Sequence, residues 1–234
     1  MGDTGPCGPC SEIFYDHGDS LEGSPPEEGK DTGDRFVEIY NIVFMQFNRD
    51  IEGNLKPLPK PSVDTGMGLE RISAVMQGTP DNYQTDLFIP LIKKISELTG
   101  EKDLLNPSLR VIADHLRASC FMISDGIAIG NEGRNYVLRR IIRRALRHAY
   151  KLNSENFYVM SKLATYFSDT YKELYPEIEK NNSFIEKALH EEEEKFGATL
   201  NQGMSLLDEE VKKLKGKVIS CLLYTSDAAD DGVG

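Results

Sequence analysis

The sequence predicts an α+β fold, a β-rich first part followed by helices, and three observations predict it. Arg35 to Phe47 is a nearly continuous apolar and aromatic run, the pattern of a strand buried on both faces. The run VDTGMGLER, Val63 to Arg71, ends a short apolar stretch at Asp64 and opens an apolar-periodic segment at Leu69 that continues through Met76. An extended segment therefore turns into a helix there. Beyond Asp81-Asn82-Tyr83 the apolar residues recur at helical spacing as far as about residue 215.

In chain order, residues 1–18 read as a rigid Gly/Pro loop, Gly5-Pro6-Cys7-Gly8-Pro9-Cys10, followed by a short strand from Glu12 to Tyr15. Residues 18–35, rich in Gly, Pro and acids, read as a surface loop. After the long strand, Asp50 to Gly53 makes the turn of a hairpin, and Lys56 to Pro61 is a stiff polyproline-like segment that delivers the chain to Asp64. Helices are expected from Asp86 to Leu98, with Phe88, Leu91, Ile92, Ile95 and Leu98 on one face and Gly100 as a stop. Another begins at Asn106-Pro107-Ser108 and runs through Ser124, and a further one covers Tyr136 to Lys151. Residues 155–215 are amphipathic, with Glu191 to Glu194 read as a solvated face. From Cys221 to Gly234 the periodicity is lost. That tail resembles translated foreign sequence and is set aside from the fold. The organisation expected is residues 1–82, 83–219 and the tail 220–234.

Composition narrows the function classes. The 234 residues are 39% apolar and 28% charged, with mean hydropathy −0.41, enough to bury a real core. No stretch has the apolar length of a membrane span and the N-terminus lacks signal-peptide character, so a cytoplasmic protein is expected. A net charge of −11 argues against indiscriminate polyanion binding and requires any nucleic-acid contact to use a local basic patch. Cys7 and Cys10 form a CxxC, but Cys120 and Cys221 stand apart and the histidines have no ligand spacing, which disfavours zinc or redox chemistry.

Two constellations carry chemistry. Glu38 and Asn41 interrupt the apolar strand and need partners, because an unpaired buried polar group costs about 1–3 kcal/mol. In an unbroken strand they face opposite sides, so they line one pocket only if a bulge intervenes, whereas Asn41 and Val43 share a face regardless. A pocket of Asn41, Val43 and Asp64 suits a small amino acid, with Asp64 gripping the ammonium. Gly66 and Gly68 let the backbone approach a ligand closely. A helix start favours anions, and Arg71 one turn in is suited to a phosphate. The alternative is that Glu38 and Asn41 are bonded to neighbouring backbone and Arg71 is solvated. The second constellation is Tyr136 to His148. There Leu138, Ile141, Ile142, Ala145 and Ala149 face a core, and Arg139, Arg140, Arg143, Arg144 and Arg147 spread over the outer side. Such a row grips phosphates without reading sequence, and Asn131 in the preceding loop has the amide needed at a base edge. The alternative pairs these arginines with the protein's own acids.

Four runs together resemble the alanyl-tRNA synthetases, class II ligases: GDTGPCGPCSEI (Gly2 to Ile13), YNIVFMQFNR (Tyr40 to Arg49), PKPSVDTGMGLER (Pro59 to Arg71) and VLRRIIRRALRH (Val137 to His148). The resemblance covers about residues 1–219. It implies part of a class II antiparallel β-sheet domain followed by an α-helical tRNA-recognition domain. It also implies ATP-dependent activation of alanine to alanyl-adenylate and transfer to tRNA(Ala). On that resemblance Asp64 holds the alanine ammonium and Asn41, Val43 and Gly66 shape the alanine pocket. Glu38, Gly68 and Arg71 serve ATP, and Glu38 serves Mg²⁺. Asn131 reads the G·U pair of the acceptor stem, and the arginine helix grips the stem's backbone. The zinc of the family's editing domain is not expected. The sequence departs from the family at Asn135, where a glycine is usual. The first two class II motifs are absent, so an internal fragment with little activity of its own is expected. The competing reading is a non-catalytic module that binds tRNA acceptor stems.

Overall fold

A computed structural model describes residues 4–27, 32–155 and 157–213; the tail set aside above lies outside the described residues. The chain divides into two compact units, Met1–Ile89 and Pro90–Gly234. As expected, the first is an antiparallel sheet and the second is helical.

The sheet unit is organised around one long central strand. Strands β1 (Gly5–Cys7), β2 (Cys10–Asp16), β3 (Phe36–Arg49) and β4 (Leu55–Met67) are followed by helix α1 (Leu69–Met76) and a 3-10 turn at Asn82–Gln84. β3 pairs with β4 along one edge, and with β2 and then β1 along the other. The Gly/Pro segment expected to be a loop is therefore mostly strand. Gly8 sits where β1 passes into β2 and presses against β3: a Cβ there would lie 1.7 Å from the Phe44 carbonyl oxygen, so only glycine fits. Phe44 N–H then donates to the Pro9 carbonyl at 2.8 Å. The hairpin turn forms as expected, with Gly53 N–H donating to Asp50 O and Gly53 at φ +87°, a conformation glycine adopts without penalty. The proline-rich segment is not a separate linker. It lies inside β4, where the register slips between Met45↔Ser62 and Phe47↔Pro57, because prolines cannot donate to the ladder.

β3 was expected to be buried on both faces, but Phe36 to Val43 are half-buried and Phe44 is exposed. The physical reason is size: α1, of 8 residues, and the 3-10 turn are the only other regular elements described in this unit. They are too small to cover both faces of a 14-residue strand.

The helical unit carries the core. Helices α2 (Ile89–Thr99), α3 (Pro107–Ser124), α4 (Gly133–Leu152), α5 (Met160–Tyr171) and α6 (Pro176–Lys213) follow in order, α2 entering from the last residue of the first unit. The Asn106 side chain accepts from Ser108 N–H and Pro107 opens α3, the start signal read from the sequence. α4 begins three residues earlier than expected, at Gly133. Leu109, Ile112 and Leu116 of α3 are fully buried, as are Leu138, Ile142 and Leu146 of α4, Leu163 of α5 and Ile178 and Leu189 of α6. Ile141, assigned to the core from spacing, is half-buried, and Leu146 takes that place. Leu98 is likewise half-buried, with Thr99 inward instead.

The acidic run on α6 is not a solvated face. Glu192 is 2% exposed and Glu193 is fully buried, while Glu191 and Glu194 face water. Glu193 accepts from Met160 N–H at 2.8 Å and from Ser161 N–H at 3.3 Å, and it also takes the Ser161 hydroxyl. It thereby caps the start of α5, which no local side chain does. Burial pushes its carboxyl above the usual range, with these hydrogen bonds opposing the shift.

Candidate active site

Strand pairing decides which residues meet. Asn41 stands opposite Glu12 of β2 and Gly66 of β4, and Val43 opposite Cys10 and Asp64. Directly paired residues share a face, as do residues two apart on one strand. Asn41, Val43, Asp64 and Gly66 therefore line one face of the sheet, together with Cys10 and Glu12.

The condition on Glu38 is met by a bulge. The β2–β3 register runs from Ile13↔Tyr40 to Phe14↔Glu38, so Ile39 is the extra residue and Glu38 returns to the face of Asn41. The bulge lies just before the β3–β4 ladder begins at Tyr40↔Met67, and the turn into α1 supplies donors to its carbonyls. Gly68 N–H donates to Ile39 O at 3.3 Å, and Arg71 Nη1 donates to Glu38 O at 2.8 Å. The same nitrogen stands 3.1 Å from Glu38 Oε2. The VDTGMGLER run thus both ends in a helix and holds the neighbouring strand's irregularity in place.

The site's surface has a definite chemistry. Asp64 is exposed, and its carboxylate has no ion-pair partner among the described residues. A Cβ built on Gly66 meets nothing within 4 Å, so the space over the strand beside Asp64 is open. Asn41 Nδ2 donates to Cys10 Sγ at 3.1 Å and lies 3.4 Å from Glu12 Oε1. Cys10 and Glu12 also stand on this face, although the sequence marks Cys10 only as half of a CxxC and Glu12 only as the start of a short strand. Neither pattern shows that β2 pairs with β3 in the register that brings both residues to Asn41. Glu38 and Arg71 are 33% and 45% exposed, so both groups of the pair remain reachable from water. No side chain caps the start of α1.

No group of three or more His, Cys, Asp or Glu among the described residues is placed to hold a metal by itself. Glu38 is a single carboxylate whose Oε2 accepts from Arg71 Nη1 at 3.1 Å, and Mg²⁺ in nucleotide sites is commonly held by one or two carboxylates together with the substrate's phosphates.

The helical unit contains the arginine row, and the structure splits it. Arg140, Arg144 and Arg147 are exposed, as expected. Arg139 and Arg143 are not on the outer side: Arg143 Nε lies 2.8 Å and Arg139 Nε 3.4 Å from the buried Oε1 of Glu192. Asn131 is exposed in the loop before α4. Asn135 lies against Gly130, whose N–H donates to the Asn135 carbonyl. No described helix is long and apolar enough to cross a membrane.

Comparison with known proteins places this arrangement among relatives. Alanine–tRNA ligase of Hydrogenovibrio crunogenus is 58% identical over 220 residues, 94% of this chain and 25% of that protein. The alanine–tRNA ligase of Psychromonas ingrahamii is 56% identical over 219 residues, 94% and 25% respectively. That of Legionella pneumophila is 54% identical over 220 residues, 94% and 26%. The chain spans about a quarter of the length of the curated relatives it matches. The family model described as tRNA synthetases class II (A) matches residues 1–223, which takes in the whole sheet face and the arginine helix. With an antiparallel sheet, a bulged acidic strand and a glycine-rich turn into a helix all inside that match, the chain belongs to the class II (A) tRNA synthetases.

Proposed function

We propose that this chain carries the alanine-activating face and the tRNA-recognition helices of a cytoplasmic alanine–tRNA ligase. The observation that carries the reading is the single sheet face on which Asn41, Val43, Asp64 and Gly66 lie in register, with Glu38 brought onto it by the bulge at Ile39. The identity to proteins named alanine–tRNA ligases, 58% in one, supports the choice of amino acid.

The chemistry follows from the groups present. Asp64 holds the alanine ammonium, and Asn41, Val43 and Gly66 leave room for a methyl side chain. An alanine carboxylate oxygen attacks the α-phosphorus of ATP, pyrophosphate leaves, and alanyl-adenylate forms. A terminal ribose hydroxyl of tRNA then attacks the alanyl carbonyl and AMP leaves. Positioning and charge stabilisation dominate such phosphoryl chemistry. Arg71 contacts the phosphates beside Gly68, exchanging its exposed pairing with Glu38 for theirs. Glu38 is the residue that would hold Mg²⁺, which when bound would supply neutralisation of the phosphate charge. On the helical unit the α4 arginines meet the backbone of the tRNA(Ala) acceptor stem, and Asn131 reads a base edge beside them.

Alanine-dependent ATP–pyrophosphate exchange tests the reading, measured on this chain and on a full-length relative with and without Asp64→Asn. Exchange that depends on Asp64 supports the ligase. The exposed arginines of α4 favour a second reading, a non-catalytic acceptor-stem binder. That reading gains if exchange is indifferent to Asp64 while RNA affinity persists.

A further inference from the structure

The arginine row of α4 is two stripes with different surroundings. At 3.6 residues per turn, Arg139 and Arg143 form one stripe, and Arg140, Arg144 and Arg147 form another about a quarter turn round the helix. The first stripe faces α6. Both guanidinium groups converge on one oxygen of Glu192, which is 2% exposed, and Arg143 also lies over the Phe196 ring, 5.1 Å from its centroid. The side chains of Arg139 and Arg143 are only 19% and 30% exposed. A carboxylate so buried must keep its cations, since an unpaired charge in that position is strongly disfavoured. The second stripe faces water. Arg140 lies over Tyr136, and neither Arg144 nor Arg147 has a carboxylate partner among the described residues.

We propose that Glu192 is a positioning residue for the RNA-binding surface: it retains Arg139 and Arg143 inside the helical unit and fixes the roll of α4 so that Arg140, Arg144 and Arg147 meet the phosphates. The inference rests on the tRNA-binding reading above and narrows it from five arginines to three. Glu192 does for α4 what Glu193 does for α5, so two successive acids on one helix set the placement of two neighbours. The outward stripe then has a local charge of +3, while the inward trio sums to +1.

The salt dependence of RNA binding separates the stripes, because removing one arginine–phosphate pairing lowers the slope of log K against log salt by about one. The measurement uses the full chain and a tRNA(Ala) transcript, with folding checked by circular dichroism. Arg140→Gln with Arg144→Gln is expected to lower the slope by about two and the affinity by on the order of 10- to 100-fold. Glu192→Gln is expected to keep the far-UV circular dichroism and leave the slope within about one while lowering the affinity on the order of 3- to 10-fold, because the outward arginines remain but α4 is no longer held at its roll; an unchanged affinity overturns the role of Glu192. Phenylglyoxal modification of the unmutated chain gives a readout independent of any variant. Bound tRNA is expected to protect Arg140, Arg144 and Arg147, with Arg139 and Arg143 slow to react in either state. A slope that falls equally in both variants, or protection by tRNA of Arg139 and Arg143, overturns the role of Glu192. If neither variant changes the slope and tRNA protects no arginine, the RNA-binding reading itself fails and takes the inference with it.

Discussion

Glu38 with Arg71 in the sheet unit, and Glu192 with Arg143 in the helical unit, are built from the same two side chains at 3.1 and 2.8 Å. Their surroundings differ: Glu38 is 33% exposed and Glu192 is 2% exposed. An exposed pair contributes about 0–1 kcal/mol, because water solvates its partners almost as well as they solvate each other. A buried pair loses about 3–5 kcal/mol when one partner is removed, since the survivor is left desolvated and unpaired. The sheet-unit pair is therefore cheap to open and suited to exchanging partners with a substrate. The helical-unit pair is a fixture of the fold.

That contrast can be tested by substitution. Glu192→Ala is expected to destabilise the helical unit most, by about 3–5 kcal/mol in chemical denaturation followed by far-UV circular dichroism. Asp64→Asn is expected to cost on the order of 10²–10³-fold in alanine-dependent exchange in a full-length relative, as removal of one member of a charge pair does. Because Asp64 is exposed, the same change should leave the denaturation midpoint of this chain nearly unaltered. Glu193→Ala strips the donors at the start of α5 of their acceptor and should cost about 1–3 kcal/mol.

Two titrations sharpen the buried side of the contrast. Glu193 is raised above its ordinary 4.5 chiefly by burial, so the folded state binds the proton more tightly than the unfolded one. Its contribution to stability then falls as pH rises from 4.5 through the folded value. His148 is lowered from 6.5, first by burial and then by the charges of Arg144, Lys151, His115 and Arg147. There the unfolded state binds the proton more tightly, and stability is lost as pH falls below 6.5. Stability measured against pH should lose the first slope in Glu193→Gln and the second in His148→Gln. The smallest effect is expected at Glu38→Ala, less than about 1 kcal/mol in denaturation; a larger loss would place this pair with the buried one.

Much of this molecule is local and was legible. The long strand announced itself by a continuous apolar run, α3 by Asn106-Pro107-Ser108, and α1 by the switch to helical period at Leu69. The pocket residues were chosen for their chemistry. What spacing did not show is the company they keep. Cys10 and Glu12 join Asn41 only because β2 pairs with β3, a backbone event between segments distant in sequence. For the buried glutamates a signal did exist. Ile185, Leu189, Glu192, Glu193 and Phe196 follow one another at helical spacing, so the two acids fall on the apolar stripe of α6. Charge drew the reading outward when periodicity pointed inward.

The amino-acid sequence alone set the order of sheet then helices, the turn of VDTGMGLER into α1, and the chemical types available for binding an amino acid and a phosphate. Those depend on propensity and period, which act over a few residues. Three things were left to tertiary structure: the bulge that returns Glu38 to the face of Asn41, the withdrawal of Arg139 and Arg143 to Glu192, and the capping of α5 by Glu193. Each joins residues distant along the chain. Each also turns on whether a polar group is desolvated, which chain packing decides and no single segment contains.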